Sequence, residues 1–125
     1  RHRLRFAEGR PDRLEDFVPA TAAASPCETL QLSVREGGRL VAESYFDLGE
    51  RSASSVFAMF DPAITAAGLG IFTLLKEMEH SLDHGIDHFY LGYAYEGESF
   101  YDYKKRFRAT EYFDWKGNWR EFRND

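Results

Sequence analysis

The segment Thr65-Ala66-Ala67-Gly68-Leu69-Gly70 has the residue types of an anion-binding loop. It follows a segment predicted as a strand and precedes one with helical periodicity. Glycines lack the Cβ atom that would keep an anion from the backbone, and the first N–H groups of a helix have no intrahelical partner. Gly68, Leu69 and Gly70 are therefore candidate substrate-binding residues. The alternative is structural, since both glycines would also let a helix start pack closely on a sheet.

An acidic residue, Asp61, stands at the end of the preceding predicted strand, directly before Pro62. This position next to the loop makes it a candidate catalytic residue. The alternative is that Asp61 caps the turn before Pro62, a role that Asp often has.

Tyrosines and acidic residues gather further along the chain. Tyr93 and Tyr103 are candidate catalytic residues, because a tyrosine can act as an acid or stack on a base. Tyr95 and Glu96 are candidate substrate-binding residues, since an acidic side chain attracts an α-ammonium group. The alternatives are half-buried core tyrosines and an ordinary acidic loop.

A basic run follows at Lys104, Lys105, Arg106 and Arg108, and these are candidate phosphate-binding residues. On a helix, Lys104 and Arg108 would share one face and could meet phosphates. A solvated helix face is the alternative. His80, His84 and His88 are spaced by four, but Gly85 is expected to end the helix before His88. We therefore expect no metal site.

Alternating apolar residues and turn signals indicate the elements that must position these side chains. Strands are predicted from Thr29, over 40–48 and over 54–60, with a hairpin turn at Gly37-Gly38. A helix is predicted over 68–84, with one buried stripe comprising Ile71, Phe72, Leu74, Leu75, Met78 and Leu82. A strand over 88–93, a short basic helix over 100–107 and a terminal hairpin over 112–122 complete the order. These elements predict a mixed, mostly antiparallel α/β sheet of about five to seven strands, with a β-meander followed by a βαβ crossover.

The composition indicates a folded domain. The chain has 125 residues, of which 43% are hydrophobic and 30% charged, and a net charge of −5. We predict a basic arm or linker over residues 1–27 and one domain over 28–125. The absence of a long apolar run argues against a membrane partner, and the single cysteine favours a cytoplasmic setting. The net charge alone argues against general nucleic-acid binding.

The glycine loop resembles the pyrophosphate loop of the GNAT acyltransferases, Q/R-x-x-G-x-G/A, with Thr65 in the first place. A second resemblance covers more of the chain, roughly residues 38–115. It is carried by Ser54-Ser55-Val56-Phe57, Phe60-Asp61-Pro62, Leu69-Gly70, Leu75-Lys76-Glu77-Met78, Tyr90-Leu91-Gly92-Tyr93 and Tyr103-Lys104-Lys105-Arg106-Phe107-Arg108. In this order they resemble the C-terminal domain of the arginyl-tRNA–protein transferases and their leucyl-transferring bacterial relatives. The chain departs from that pattern at 94–102, and Ala109 replaces its final proline.

The resemblance implies a GNAT-like fold and the transfer of an amino acid from charged tRNA to a protein N-terminal amine, as in N-degron tagging. The implied partners are aminoacyl-tRNA and a protein or peptide N-terminus, with no cofactor beyond the aminoacyl-tRNA donor. The resemblance thus makes Lys104, Lys105, Arg106 and Arg108 the candidate tRNA-binding residues. One alternative is an acyl-CoA-dependent N-acyltransferase, for which acetyl-CoA would be the donor. Another is a degenerate, non-catalytic module that binds a protein N-terminus.

Overall fold

The computed structural model describes residues 27–64 and 68–122. The predicted arm over 1–27 thus lies outside the described residues apart from Cys27, and its boundary stays a prediction. Contacts divide the chain into two compact units, the first ending at Gly92 and the second beginning at Tyr93. The two units are taken in turn below.

The first unit contains a four-stranded sheet in the order β1-β2-β3-β4. Its strands are β1 (Glu28–Glu36), β2 (Arg39–Leu48), β3 (Ser52–Phe60) and β4 (His88–Tyr90), and helix α1 (Leu69–Asp83) connects β3 to β4. β1, β2 and β3 pair antiparallel, whereas β4 pairs parallel to β3. The mixed fold with a meander followed by a βαβ crossover is therefore confirmed.

The prediction of one sheet with about five to seven strands is wrong, because the described strands form a four-stranded and a two-stranded sheet. The predicted length of the strand over 88–93 is also wrong. β4 ends at Tyr90 rather than Tyr93, because only three of its residues pair with β3 and Gly92 then takes a positive φ of 80°. The terminal hairpin forms a separate two-stranded sheet within the second unit. Its strands are β5 (Glu111–Phe113) and β6 (Trp119–Glu121).

The predicted basic helix is a 3-10 helix over Phe100–Arg106. Ser99 caps it, since its hydroxyl accepts the Tyr101 N–H at 3.1 Å and its own N–H donates to Asp102. The backbone then becomes extended at Phe107, with φ −71° and ψ 143°. The prediction that Lys104 and Arg108 share a helical face is therefore wrong, because the helix ends before Arg108.

The predicted buried stripe of α1 is also wrong. Of that stripe Leu74 is buried, whereas Ile71, Phe72, Leu75 and Leu82 are 41%, 41%, 48% and 74% exposed. The buried face instead consists of Leu69, Thr73, Leu74, Glu77 and Ser81. A hydropathy pattern cannot find such a face, because most of its members are polar.

The two hydroxyls of this buried face are satisfied by the helix itself. Thr73 Oγ1 donates to the carbonyl of Gly70 at 3.0 Å, and Ser81 Oγ donates to that of Glu77 at 2.7 Å. Such internal bonds remove most of the cost of burying a hydroxyl. Small side chains on this face also allow close contact with the sheet, where Val41 and Ala42 form the core with Leu69.

Glu77 is the largest polar side chain of this interface and is almost fully buried. Burial raises its pKa to about 7, and neither carboxyl oxygen has a hydrogen-bond partner among the described residues. Burial disfavours the charged form of a carboxyl group. The helix therefore packs on the sheet most favourably while Glu77 carries a proton.

No helix of the described residues is long and apolar enough to cross a membrane.

We expect stability to depend on pH through Glu77. Its pKa is raised in the folded state from about 4.5 to about 7, so the folded chain binds more protons than the unfolded chain between these values. Stability is then full below pH 4.5 and falls by roughly 3 kcal/mol as pH rises to about 7. Urea unfolding at pH 5 and pH 8 measures this difference.

The variant Glu77→Gln should lose that pH dependence and be more stable than the natural chain at pH 8. Glu79→Gln is the matched control, since Glu79 is an exposed residue of the same helix that pairs with Lys76. A Glu77→Gln variant that keeps the full pH dependence would contradict this account.

Candidate functional site

Asp61 lies directly after β3 and is buried, with 6% of the residue exposed. Its N–H donates to the carbonyl of Val41 at 2.8 Å, and its Oδ1 accepts the N–H of Ala63 at 3.0 Å. Its other carboxylate oxygen pairs with the guanidinium of Arg39. Asp61 therefore caps its turn and also joins the end of β3 to the start of β2.

Arg39 is a candidate site residue that the sequence pattern did not single out. Its side chain is 64% exposed, although its Nη2 contacts Asp61. A guanidinium has five N–H donors, so most of its donors are open to a second anion. The signal was available, because antiparallel pairing of β2 and β3 brings the first residues of β2 to the end of β3.

The start of α1 explains both glycines of the loop. Gly68 is the N-cap with φ 55° and ψ 36°, a left-handed conformation that favours glycine. A Cβ at Gly70 would lie 3.2 Å from Cε1 of Phe60, so this position needs a small residue for packing. Leu69 points into the core. An anion here could thus use only backbone N–H groups, and Thr65–Ala67 lie outside the described residues.

The candidate site tyrosines, Tyr93, Tyr95 and Tyr103, all belong to the second unit. Tyr93 and Tyr95 are 81% and 66% exposed. Tyr103 is half-buried and engaged with other groups of the chain. Tyr93 and Tyr95 are therefore the most accessible of these tyrosines, as contact with a substrate requires.

Two exposed ring contacts organise this part of the second unit. The rings of Tyr95 and Tyr101 lie 6.3 Å apart, and Tyr93 stacks with Trp115 at 6.2 Å. Glu96 follows Tyr95 in an exposed loop. The predicted substrate-binding residues Tyr95 and Glu96 are thus both accessible, and their role stays a prediction.

The basic run divides into two pairs with different environments. Lys104 donates to the carbonyl of Tyr93 at 2.8 Å and lies 4.9 Å from the centre of the Tyr101 ring, and burial lowers its pKa. Lys105 pairs with Asp102 at 2.7 Å and donates to the carbonyl of Gly97 at 3.2 Å. Both lysines therefore anchor the segment before them. Arg106 and Arg108 are exposed.

Comparison with known proteins shows which family this arrangement belongs to. The family model described as "Arginine-tRNA-protein transferase, C terminus" matches residues 2–114. The chain belongs to this transferase family. The predicted resemblance is therefore confirmed, and it extends over more of the chain than the motifs alone covered.

Two curated relatives show how much of the chain is matched. The chain is 32% identical over 117 residues to an "Aspartate/glutamate leucyltransferase" of Stenotrophomonas maltophilia (strain K279a), with 92% of this chain and 46% of the relative covered. It is 36% identical over 114 residues to a protein of the same name from Hyphomonas neptunium (strain ATCC 15444), with 88% and 44% covered. The chain thus spans about half the length of these relatives. No solved structure matches the chain.

Within the family pattern, Ala109 marks a local change of backbone. It stands where the pattern has proline and adopts a positive φ of 55°. The proline ring holds φ near −65°, so a proline could not take this conformation. The turn after Arg108 therefore has a conformation that the family's proline would exclude, and Thr110 Oγ1 closes it by donating to the carbonyl of Phe107 at 2.6 Å.

We expect Asp61→Ala to lower the free energy of unfolding by about 2 kcal/mol, because it removes a cap and a charge-assisted contact. Asp87→Ala is the matched control. Asp87 also pairs with an arginine, Arg51, but both side chains are exposed, so its loss should cost about 0.5 kcal/mol. Urea unfolding of both variants measures the difference, and equal losses would contradict the anchoring role of Asp61.

Proposed function

We propose that this chain is the part of an aminoacyl-tRNA–protein transferase that joins an amino acid to a protein N-terminus, in the cytoplasm and as a signal for degradation. Its membership of the transferase family and the names of its relatives support this proposal. By those names, the amino acid is leucine and the acceptor begins with aspartate or glutamate. The single observation that carries the acceptor class is the Arg39–Asp61 pair.

The pair offers complementary charges for an acidic N-terminal residue. Such an acceptor carries an α-amine, which is cationic when protonated, and a side-chain carboxylate. The open donors of Arg39 suit the side-chain carboxylate. A bidentate arginine contact with a carboxylate is strong and directional. Asp61 is buried and both of its carboxylate oxygens are engaged, so its proposed role is to hold Arg39 in place.

The reaction proceeds by attack of the neutral α-amine on the carbonyl carbon of the aminoacyl ester. A C–N bond forms and the C–O bond to the tRNA ribose breaks. One proton leaves the amine and one is taken up by the ribose oxygen. Correct placement of amine and ester supplies much of the acceleration of such a step. Tyr93 and Tyr103 are the proposed acids for the ribose oxygen, and no further cofactor is invoked.

Contacts with the donor are proposed for each unit by itself, at the exposed arginines of the second unit and at the start of α1 in the first. Arg106 and Arg108 are the accessible members of the predicted tRNA-binding run, whereas Lys104 and Lys105 hold their own segment in place. The backbone N–H groups at Gly68, Leu69 and Gly70 would bind a phosphate or carboxylate. Tyr95 and Glu96 are the proposed contacts of the substrate's α-amine or side chain.

The proposed function is tested with the natural full-length protein, charged tRNA and peptides that differ in their first residue. We expect labelled leucine to reach peptides that begin with Asp or Glu and not those that begin with Ala or Arg. Transfer of arginine instead of leucine would change the amino acid in the proposal and keep the reaction class of the family. Acetyl transfer from acetyl-CoA, without transfer from any tRNA, would replace the proposal by the acyl-CoA alternative.

Arg39→Gln should lower the preference for Asp and Glu peptides over Ala peptides by about tenfold or more, since a charge-assisted contact is lost. Arg51→Gln is the control, because Arg51 is an exposed arginine paired with another aspartate. Peptide kcat/KM ratios measure the preference. An unchanged ratio in Arg39→Gln would remove Arg39 from acceptor recognition.

The double variant Arg106→Gln/Arg108→Gln should bind tRNA more weakly and with a shallower salt dependence, by roughly one unit of log K per log salt for each lost phosphate contact. Lys104→Gln serves as the comparison. It should mainly lower the free energy of unfolding and change the salt dependence of tRNA binding less, because the Lys104 ammonium group is half-buried and donates to the carbonyl of Tyr93. If tRNA binding by the double variant kept the salt dependence of the natural chain, the tRNA phosphates would contact other residues.

A further inference from the structure

The loop between β5 and β6 is built around the carboxylate of Asp114. This carboxylate accepts the N–H groups of Lys116 at 2.8 Å and of Asn118 at 3.1 Å, and it pairs with Arg120 Nε at 2.8 Å. The Asn118 side-chain amide adds a contact at 3.3 Å. Arg120 and these N–H groups hold the pKa of Asp114 well below its ordinary value. The loop is therefore fixed by an ionised side chain.

This loop holds Trp115 in an unusual position. Its φ is 58°, in the left-handed region that bulky residues rarely adopt. Its ring is nevertheless 75% exposed. Strain of this kind persists where the surroundings impose it, and it concentrates at functional positions. Burial of apolar surface does not account for the placement of this ring.

Tyr93 lies beside Trp115 in the same unit. The two ring centres are 6.2 Å apart with 23° between the planes, and Tyr93 is 81% exposed. Phe113 meets the Trp115 ring edge-on at 5.5 Å and supports it. We call Tyr93 and Trp115 the aromatic pair. It presents two nearly parallel and accessible π-faces.

Cationic residues adjoin both members of the aromatic pair. Lys116 follows Trp115 in an exposed position, and Lys104 Nζ lies 2.8 Å from the carbonyl oxygen of Tyr93. Asp114, which directly precedes Trp115, is paired with Arg120. From Tyr93 onwards the sequence has seven acidic and seven basic residues, so the net charge of −5 belongs to the part before Tyr93. A polyanion therefore meets no net repulsion from the second unit.

We propose that the aromatic pair binds unpaired nucleotides at the 3′ end of an RNA. One base stacks on the indole of Trp115, and the adjoining phosphate lies beside Lys116. Aromatic side chains next to lysine or arginine are the usual means of holding single-stranded nucleic acid. The identity of the RNA as charged tRNA rests on the proposed function. The family match ends at residue 114, so it does not include Trp115.

The proposal is tested by direct binding rather than by transfer. The chain contains two tryptophans, and Trp119 in β6 is the matched control. In Trp119→Phe, a single-stranded RNA ending in CCA should quench the remaining indole fluorescence. In Trp115→Phe the affinity for the same RNA should stay within about threefold of that of the natural chain, because a phenyl ring still stacks. The RNA should quench the fluorescence only weakly, because the stacked indole has been removed. Double-stranded RNA without an overhang should quench neither.

Trp115→Gly removes the ring and keeps a residue that tolerates positive φ. It should weaken binding of the CCA-ending RNA by about tenfold, as for the loss of one stacked base. Lys116→Glu should also weaken binding and reduce its salt dependence, since the loop uses only the backbone N–H of Lys116. Melting temperatures of both variants should stay close to that of the natural chain.

Several outcomes would overturn this proposal. They are equal affinity of Trp115→Gly and the natural chain, no quenching in Trp119→Phe, or preferential binding of an acidic peptide, which would make the pair a protein interface. Failure of the proposed function is distinguishable, because uncharged RNA is the probe. Binding without transfer would reject the transferase activity and leave the aromatic pair as an RNA site.

Discussion

The packing of α1 on its sheet through a mostly polar face is the constraint on which the first unit depends. Thr73 and Ser81 can be buried because their hydroxyls donate to the helix's own carbonyls. Glu77 can be buried because its pKa is raised to about 7. This face orients the helix so that Phe72, Leu75 and Leu82 turn outward. It also brings the helix start so close to Phe60 that a Cβ at position 70 would lie 3.2 Å from the Phe60 ring.

Asp61 joins this helix–sheet unit at the end where chemistry is proposed. Its oxygens are shared between the N–H of Ala63 and the guanidinium of Arg39. A carboxylate held in this way fixes the guanidinium of Arg39, whose side chain is 64% exposed and accessible to a second anion. Glu77 has the pKa expected of a general base, but its burial denies it contact with any substrate. Electrostatic positioning thus fits the first unit better than proton abstraction does.

Much of the fold could be predicted because it depends on local signals. Paired glycines at 37–38, strand alternation and the Asp61-Pro62 break led to the meander and crossover. The orientation of α1 could not be predicted, because hydropathy treats Thr73, Glu77 and Ser81 as solvent-facing. The end of the basic helix was missed for a similar reason, since the extended backbone at Phe107 has no signature in its side chain. The Arg39–Asp61 pair depends on strand register, which motif matching does not examine.

The net charge of −5 is a property of one part of the chain and does not describe its surface as a whole. All of this charge lies before Tyr93, and the residues from Tyr93 onward are balanced. Within that balanced part, Lys104, Lys105 and Arg120 are committed to carbonyl or carboxylate partners, whereas Arg106, Arg108 and Lys116 are exposed. The committed cations shape the backbone, and the exposed ones are available to phosphates. Nucleic-acid binding by an acidic chain is therefore physically consistent when it is confined to the second unit, where acidic and basic residues balance.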